Sequence, residues 1–219
     1  MKRKRISVRR RKALRRILIA AAALFVVNHV FLVGLLFPIQ AIHRNEERMG
    51  TGRTATVCRD WTPELRWSHL VYLTENENVT LLSGAYLDWL GWTDGFGVPV
   101  DCSKEAPMHG GYWYLNHDDT QVLYIFGRVD DPAIVRIKVV GEYVDFQETD
   151  LPAKEMQMEL ASEAADWMEK DGRRYFLFKT VNYGKNTWGY FDPEVIGYDK
   201  YYYEVARMNI NEAASTIYN

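Results

Sequence analysis

From Ile17 to Ile39 the chain runs 23 residues without a formal charge, and residues 1–16 directly before them hold ten Lys and Arg and no acid. Coiled as a helix, such a run extends about 34 Å at roughly 1.5 Å per residue, enough for a hydrocarbon core of about 30 Å. No later stretch comes close, because charges interrupt every other apolar run. Lys and Arg flanking a span are retained on the cytoplasmic side, so a cytoplasmic N-terminus and a domain outside the cell membrane are expected. The basic tract sets this topology, with contact to anionic lipid as an added role.

The competing reading is a cleaved signal peptide, with Ile39-Gln-Ala41 as the processing site. Against it, the apolar core exceeds the roughly 7–15 residues of a signal h-region, and the small-x-small pair is missing. Neither Cys lies near the span, so a lipoprotein-type anchor is excluded. Asn28 and His29 sit mid-span, where a polar group is costly; both are expected neutral, either bonded to a helix neighbour or simply tolerated.

Charge is divided along the chain. The total of 27 basic and 29 acidic residues gives −2, yet no acid precedes Glu46, and from Asn45 onward 16 basic face 29 acidic residues. A net of −13 in that outer part repels anionic polymers, so nucleic acid is not an expected partner. At 47% hydrophobic the chain is too apolar for global disorder, and two Cys exclude a multi-disulfide miniprotein.

Four segments follow: a basic tail over 1–16, a membrane helix over 17–39, a polar stalk over 40–53 and one outer domain over 54–219. The domain reads as mainly β, a sandwich or barrel of short strands with frequent turns. Val122–Phe126 is apolar on both faces and suits a central strand, whereas Ile134–Val140 alternates. Asp130-Asp-Pro132 between them predicts a turn and an antiparallel pair. Further strands are expected at 69–74, 79–82, 111–115, 143–147, 174–181, 194–198 and 201–205. At most one substantial helix is expected, near 152–170, where Met156, Leu160, Ala164 and Trp167 have helical spacing. A strand over 155–161 is the alternative, since Met156, Met158 and Leu160 also alternate.

Catalytic motifs are missing. There is no Gly-x-Ser-x-Gly, His-Glu-x-x-His, P-loop or Gly-x-Gly-x-x-Gly unit. Ser68, His69 and Asp60 are near in sequence, but that proximity makes no triad. His109 and His117 with Asp118 or Asp119 are the best metal candidates, at a spacing that matches no ligand motif, so no metal or cofactor is expected. His117-Asp-Asp119 and Asp130-Asp131 read first as turns. Cys58 and Cys102 are a candidate disulfide, with free thiols as the alternative. Their bond would close a long loop and contribute roughly 4 kcal/mol.

The aromatic load is unusual. All seven Trp and all fourteen Tyr follow the stalk, and Trp92 and Phe96 sit in the glycine-rich Gly91–Gly97. Such a loop would present Trp92 or Phe96 to a ligand, because rings beside carboxylates grip sugars by stacking and hydrogen bonds. The alternative is that these rings fill a β core under a bulged loop.

Phe37–Arg44, Val71–Asn76, Phe126–Pro132 and Asp166–Phe176 together resemble uncharacterised single-pass membrane proteins of Clostridia-type gut bacteria. The resemblance runs along most of the chain and implies a bacterial cell surface, without assigned functional residues. In that setting the sequon Asn78-Val-Thr80 is unused, and an anaerobic habitat lowers the expectation of a disulfide. The expected function is a membrane-anchored surface protein that binds an envelope protein or glycan. An envelope-acting hydrolase with an unrecognised site is the alternative.

Overall fold

The computed structural model describes residues 8–31, 35–64, 69–89, 91–117, 120–143, 154–161, 167–183 and 193–210. In chain order these hold α1 (Val8–Phe31), α2 (Pro38–Met49), β1 (Ala55–Thr62), β2 (His69–Glu75), β3 (Val79–Asp88), β4 (Gly91–Asp101), β5 (Met108–His117), β6 (Thr120–Val129), β7 (Arg136–Tyr143), β8 (Lys154–Ala161), β9 (Met168–Lys170), β10 (Arg173–Tyr183), β11 (Glu194–Tyr198) and β12 (Glu204–Asn209). The strands build three four-stranded antiparallel sheets, ordered β1-β2-β3-β4, β5-β6-β10-β9 and β12-β11-β7-β8. The protein is therefore mainly β.

The second sheet is the middle layer. On β6, Val122, Tyr124 and Phe126 pack with Val71, Leu73, Leu82 and Val98 of the first sheet. Leu123 and Ile125 turn the other way, onto Ile137, Val139 and Val195 of the third. Burial on both faces is why this strand is apolar throughout, each large side chain contributing about 1.5–3 kcal/mol. The expected pairing of Val122–Phe126 with Ile134–Val140 does not form. Instead, the Asp130–Pro132 turn carries the chain from one layer to the next, and β7 pairs with β11 and β8.

Two local expectations are corrected. Residues 154–161 are strand β8, in register with β7 from Arg136↔Ala161 to Tyr143↔Lys154, so the period of two prevails over helical spacing. Residues 162–166 lie outside the described residues. The glycine-rich Gly91–Gly97 is not a loop but the first part of β4, with a register slip against β3 between Ser83 and Ala85.

The expected stalk is largely α2. Pro38 opens the helix, Gln40 Oε1 accepts the backbone N–H groups of Leu36 and Phe37 at 3.0 and 3.1 Å, and Gly50 closes it in a left-handed conformation. Ala41 and Ile42 are buried against Tyr72 and Ala85 on the outer face of the first sheet. Two polar residues on the same face, Asn45 and Glu46, are buried and bonded. Asn45 reaches the β3–β4 slip, while Glu46 accepts hydrogen bonds from Thr54 and pairs with His43 Nδ1 at 2.7 Å. The polarity that suggests a stalk serves a packed interface.

α1 begins inside the basic tract and its described part ends at Phe31, while Ile39, the expected end of the span, belongs to α2. Among the described residues no helix is long and apolar enough to cross a membrane. The apolar residues that α1 does carry, including Ile17, Leu18, Ile19 and Leu24, are exposed on successive sides of the helix.

Candidate functional site

The described pocket lies where two sheet edges meet. Val100 and Asp101 end β4, residues 102–107 cross over, and Met108–Gly110 open β5, the free edge of the middle sheet. Ala206–Asn209 of β12, the free edge of the third sheet, form the opposite wall. The volume of this open cleft is about 430 Å³, within the usual range for a small-molecule site. Gly110 permits this approach, since a Cβ there would stand 2.8 Å from the Met208 methyl and 3.0 Å from the Phe126 carbonyl oxygen.

His109 is the buried polar group of this wall, 7% exposed. It faces Arg128 across the β5–β6 pair. Arg128, itself buried, donates through Nε and Nη2 to Asp130 Oδ2 at 3.1 and 2.8 Å, and to the carbonyls of Glu77 and Cys102 at 3.1 Å each. His109 Nε2 is 3.3 Å from the same Asp130 oxygen but lacks hydrogen-bond geometry. Burial holds the imidazole below its ordinary pKa, against the attraction of Asp130. It is thus a neutral donor or acceptor at neutral pH. Lys104 adds positive charge to the lining, Arg207 is held between the carboxylates of Glu194 and Glu204, and Asp101 supplies a carboxylate held low by the Ser103 hydroxyl and N–H.

A second polar cluster lies nearer the other end of the first two sheets. Tyr124 donates to Asp60 Oδ2 at 2.7 Å and shares a 2.6 Å bond with Thr62, and burial raises its phenol pKa. Lys179 Nζ stands 3.1 Å from both Asp60 and Glu64. Lys179 thus pairs with both carboxylates, and Asp60 also accepts the Tyr124 hydroxyl. Ser68 lies outside the described residues.

The two expected ligand-facing rings are packed. Trp92 is half-buried against Ala41, Ile42 and Ala85. Phe96 lies over Gly84, where any Cβ would collide with the ring, and stacks on Trp113 at 5.7 Å with 20° between planes. Trp113 in turn stacks on Tyr114 at 5.9 Å. More exposed are Trp89 at 85%, next to the Gly91–Gly97 segment, and Trp61 at 61% with Tyr201–Tyr203. These last three form a turn in which Asp199 Oδ1 accepts the N–H groups of Tyr201 and Tyr203 at 2.8 and 2.9 Å, where sequence alone predicts strand.

Cys58 and Cys102 are free. Cys58 shares a row with Leu73, Leu82 and Val98 across the first sheet, so three strand spacings, about 14 Å, separate it from β4 alone. Cys102 lies beyond the end of β4 and contacts Thr80 Oγ1 at 3.4 Å. A disulfide needs Cα atoms within about 7 Å. His109 and His117 stand eight residues apart on one strand, about 26 Å at ~3.3 Å per residue, and share no site. Among the described residues no group of three His, Cys, Asp or Glu is placed to hold a metal. Asp118 and Asp119 lie outside the described residues.

No family model matches this chain, and no curated protein or solved structure matches it either.

Proposed function

We propose that the chain is a single-pass, membrane-anchored binding protein, with its basic N-terminus in the cytoplasm and its three-sheet domain at the cell surface. The observation that carries this reading is α1. Ile17, Leu18, Ile19, Leu24, Phe25, Val26 and Val27 expose large apolar side chains around the helix, a distribution that suits lipid and is unfavourable in water. Ile17 to Phe31 rises about 22 Å at ~1.5 Å per residue, and the apolar sequence runs on through Leu32-Val-Gly34. Ten preceding basic residues favour an inside N-terminus.

The ligand site on this reading is the pocket around His109. Leu35 enters the domain beside Trp92 at the start of β4, and the pocket begins at Val100 and Asp101, about 26–30 Å along the same strand at ~3.3 Å per residue. The pocket is therefore remote from the anchor and open to the envelope. Its mixed donors and acceptors, with apolar Val100 and Met208, suit a short saccharide of the envelope or the polar end of a protein partner.

Two measurements test the proposal. With both ends tagged, protease on intact cells should remove the C-terminal tag and spare the N-terminal one. Protection of the C-terminal tag, or a mature chain starting near Ile42, overturns the anchor. Soluble envelope glycan fragments should then give saturation-transfer signals with the detergent-solubilised chain that weaken in Lys104→Ala and Asn209→Ala. Equal signals in wild type and both variants overturn the glycan site.

A further inference from the structure

Four large apolar side chains are exposed together at one end of the first sheet: Leu36, Phe37, Leu87 and Trp89, the last at 85%. The backbone explains their proximity. Leu35 and Trp92 exchange both hydrogen bonds, at 2.8 and 2.7 Å, and Trp92 is also the register partner of Leu87 on β3. Three segments thus lie side by side. Antiparallel pairing directs Leu36 and Phe37 toward Gly91 and the tip of the β3–β4 hairpin, where Trp89 follows Asp88. Asp88 spends its carboxylate locally, accepting the Trp89 N–H at 2.6 Å.

The same end is tied to α1. Only residues 32–34 separate Phe31, the last described residue of α1, from Leu35, so the two Cα atoms are at most about 14 Å apart. A helix held in a bilayer must bring this rim near the bilayer surface. Tryptophan belongs there by its chemistry, as its large ring favours the acyl boundary while its N–H stays among headgroups. The opposite end of β4 carries Asp101 of the polar pocket lining, with Lys104 in the crossover that follows.

We infer that the β3–β4 hairpin tip and the Leu36–Phe37 corner form a lipid-contacting rim, seated in the headgroup and acyl boundary of the membrane that holds α1. The rim rests on the anchor reading and adds a second point of contact, which fixes the tilt of the domain and points the His109 pocket away from the bilayer.

The test uses the full chain reconstituted in phosphatidylcholine and phosphatidylglycerol vesicles carrying a spin label near the headgroup. Tryptophan emission should be quenched by the shallow label, and Trp89→Ala should lose a clear part of that quenching. Phe37→Ser with Leu87→Ser, made with Trp89 retained, should shift Trp89 from lipid quenching to quenching by aqueous iodide. Trp89 emission quenched by iodide and insensitive to the lipid label overturns the rim. Alkaline carbonate extraction of the same vesicles separates the two readings. Chain retained in the pellet with Trp89 unquenched removes the rim alone, whereas chain released to the supernatant removes the anchor and the rim with it.

Discussion

Asn45 of α2 donates its side-chain amide to the Ser83 hydroxyl at 2.7 Å and to the Phe96 carbonyl at 2.9 Å, at the point where β3 slips against β4. A bulge leaves backbone groups outside the ladder, and a buried carbonyl without a donor costs about 1–3 kcal/mol. The helix therefore does more than cover Tyr72 and Ala85. It completes the hydrogen bonding of the sheet beneath it.

Asn45→Ala should lower stability by roughly 1–2 kcal/mol, since it removes both amide bonds and leaves the Ser83 hydroxyl, 3.0 Å away, as the remaining side-chain donor to the Phe96 carbonyl. Denaturant unfolding of the full chain in detergent measures this. A midpoint equal to wild type would mean that α2 is dispensable to the sheet and that the stalk reading was nearer the truth.

Protonation of His109 supplies the second prediction. Burial depresses its folded pKa below the ordinary 6.5, so between the folded value and 6.5 the unfolded chain binds the extra proton. The neutral imidazole stabilises fully above about pH 6.5, and that contribution is lost as pH falls toward the folded value. The groups facing it are Asp130, Arg128 and Asp101. Wild type should lose more stability between pH 7.5 and pH 5 than His109→Gln does. Parallel stability profiles for the two proteins would refute the assignment.

Much of the sheet framework was legible because burial writes itself into sequence period. Val122–Phe126 is apolar on both faces since it is sandwiched, and Ile137 and Val139 alternate with Arg136 and Lys138 since only one face is covered. Pairing was not legible. Asp130-Asp-Pro132 specifies a turn but not whether the chain returns to the same sheet or crosses to the next. α2 was hidden for a different reason. Its core face carries Asn45 and Glu46, whose partners at Ser83, Phe96 and Thr54 lie in strands and turns that a helical pattern does not reveal. The pocket was equally hidden, because His109, Lys104 and Arg207 meet only after β5 and β12, nearly a hundred residues apart, become neighbouring edges.

Gly127 sets a close approach between the strands of the middle sheet. A Cβ added there would run into the His109 carbonyl oxygen and the Phe176 ring, and the first of these is backbone that cannot rotate away. Gly127→Ala should therefore cost at least about 3 kcal/mol, beyond the usual range for one added methyl. Thermal unfolding checks it, and a loss under about 1 kcal/mol would contradict the register of β5 against β6.

Neither cysteine should respond to redox conditions. Burial pushes the Cys58 thiol up to about 11, and Cys102 is raised by burial as well. Since the thiolate is the reactive species, alkylation of folded Cys58 near pH 8 should be about a hundredfold slower than that of an ordinary thiol. Chain purified without reductant should show two titratable thiols once denatured, and reductant should leave its melting temperature unchanged. A reductant-sensitive melt would instead require β1 and the end of β4 to approach in a way that the four-strand order does not allow.

Trp92 decides between packing and presentation. Its ring closes the small core formed by Ala41, Ile42, Tyr72 and Ala85, and its backbone carries both hydrogen bonds to Leu35. Truncating a buried aromatic ring typically costs about 3–5 kcal/mol. Trp92 is only half-buried, so Trp92→Ala should cost toward the lower end, about 3 kcal/mol, and should loosen α2 from the first sheet. Hydrogen exchange separates this loosening from global unfolding: amides of α2 and of β4 near Gly91 should lose protection, while those of β6 and β10 in the middle sheet keep theirs. Binding at the His109 pocket, about 26–30 Å along β4, should survive in the fraction that stays folded. A variant with full stability and full α2 protection but no ligand binding would return Trp92 to the surface as a contact residue.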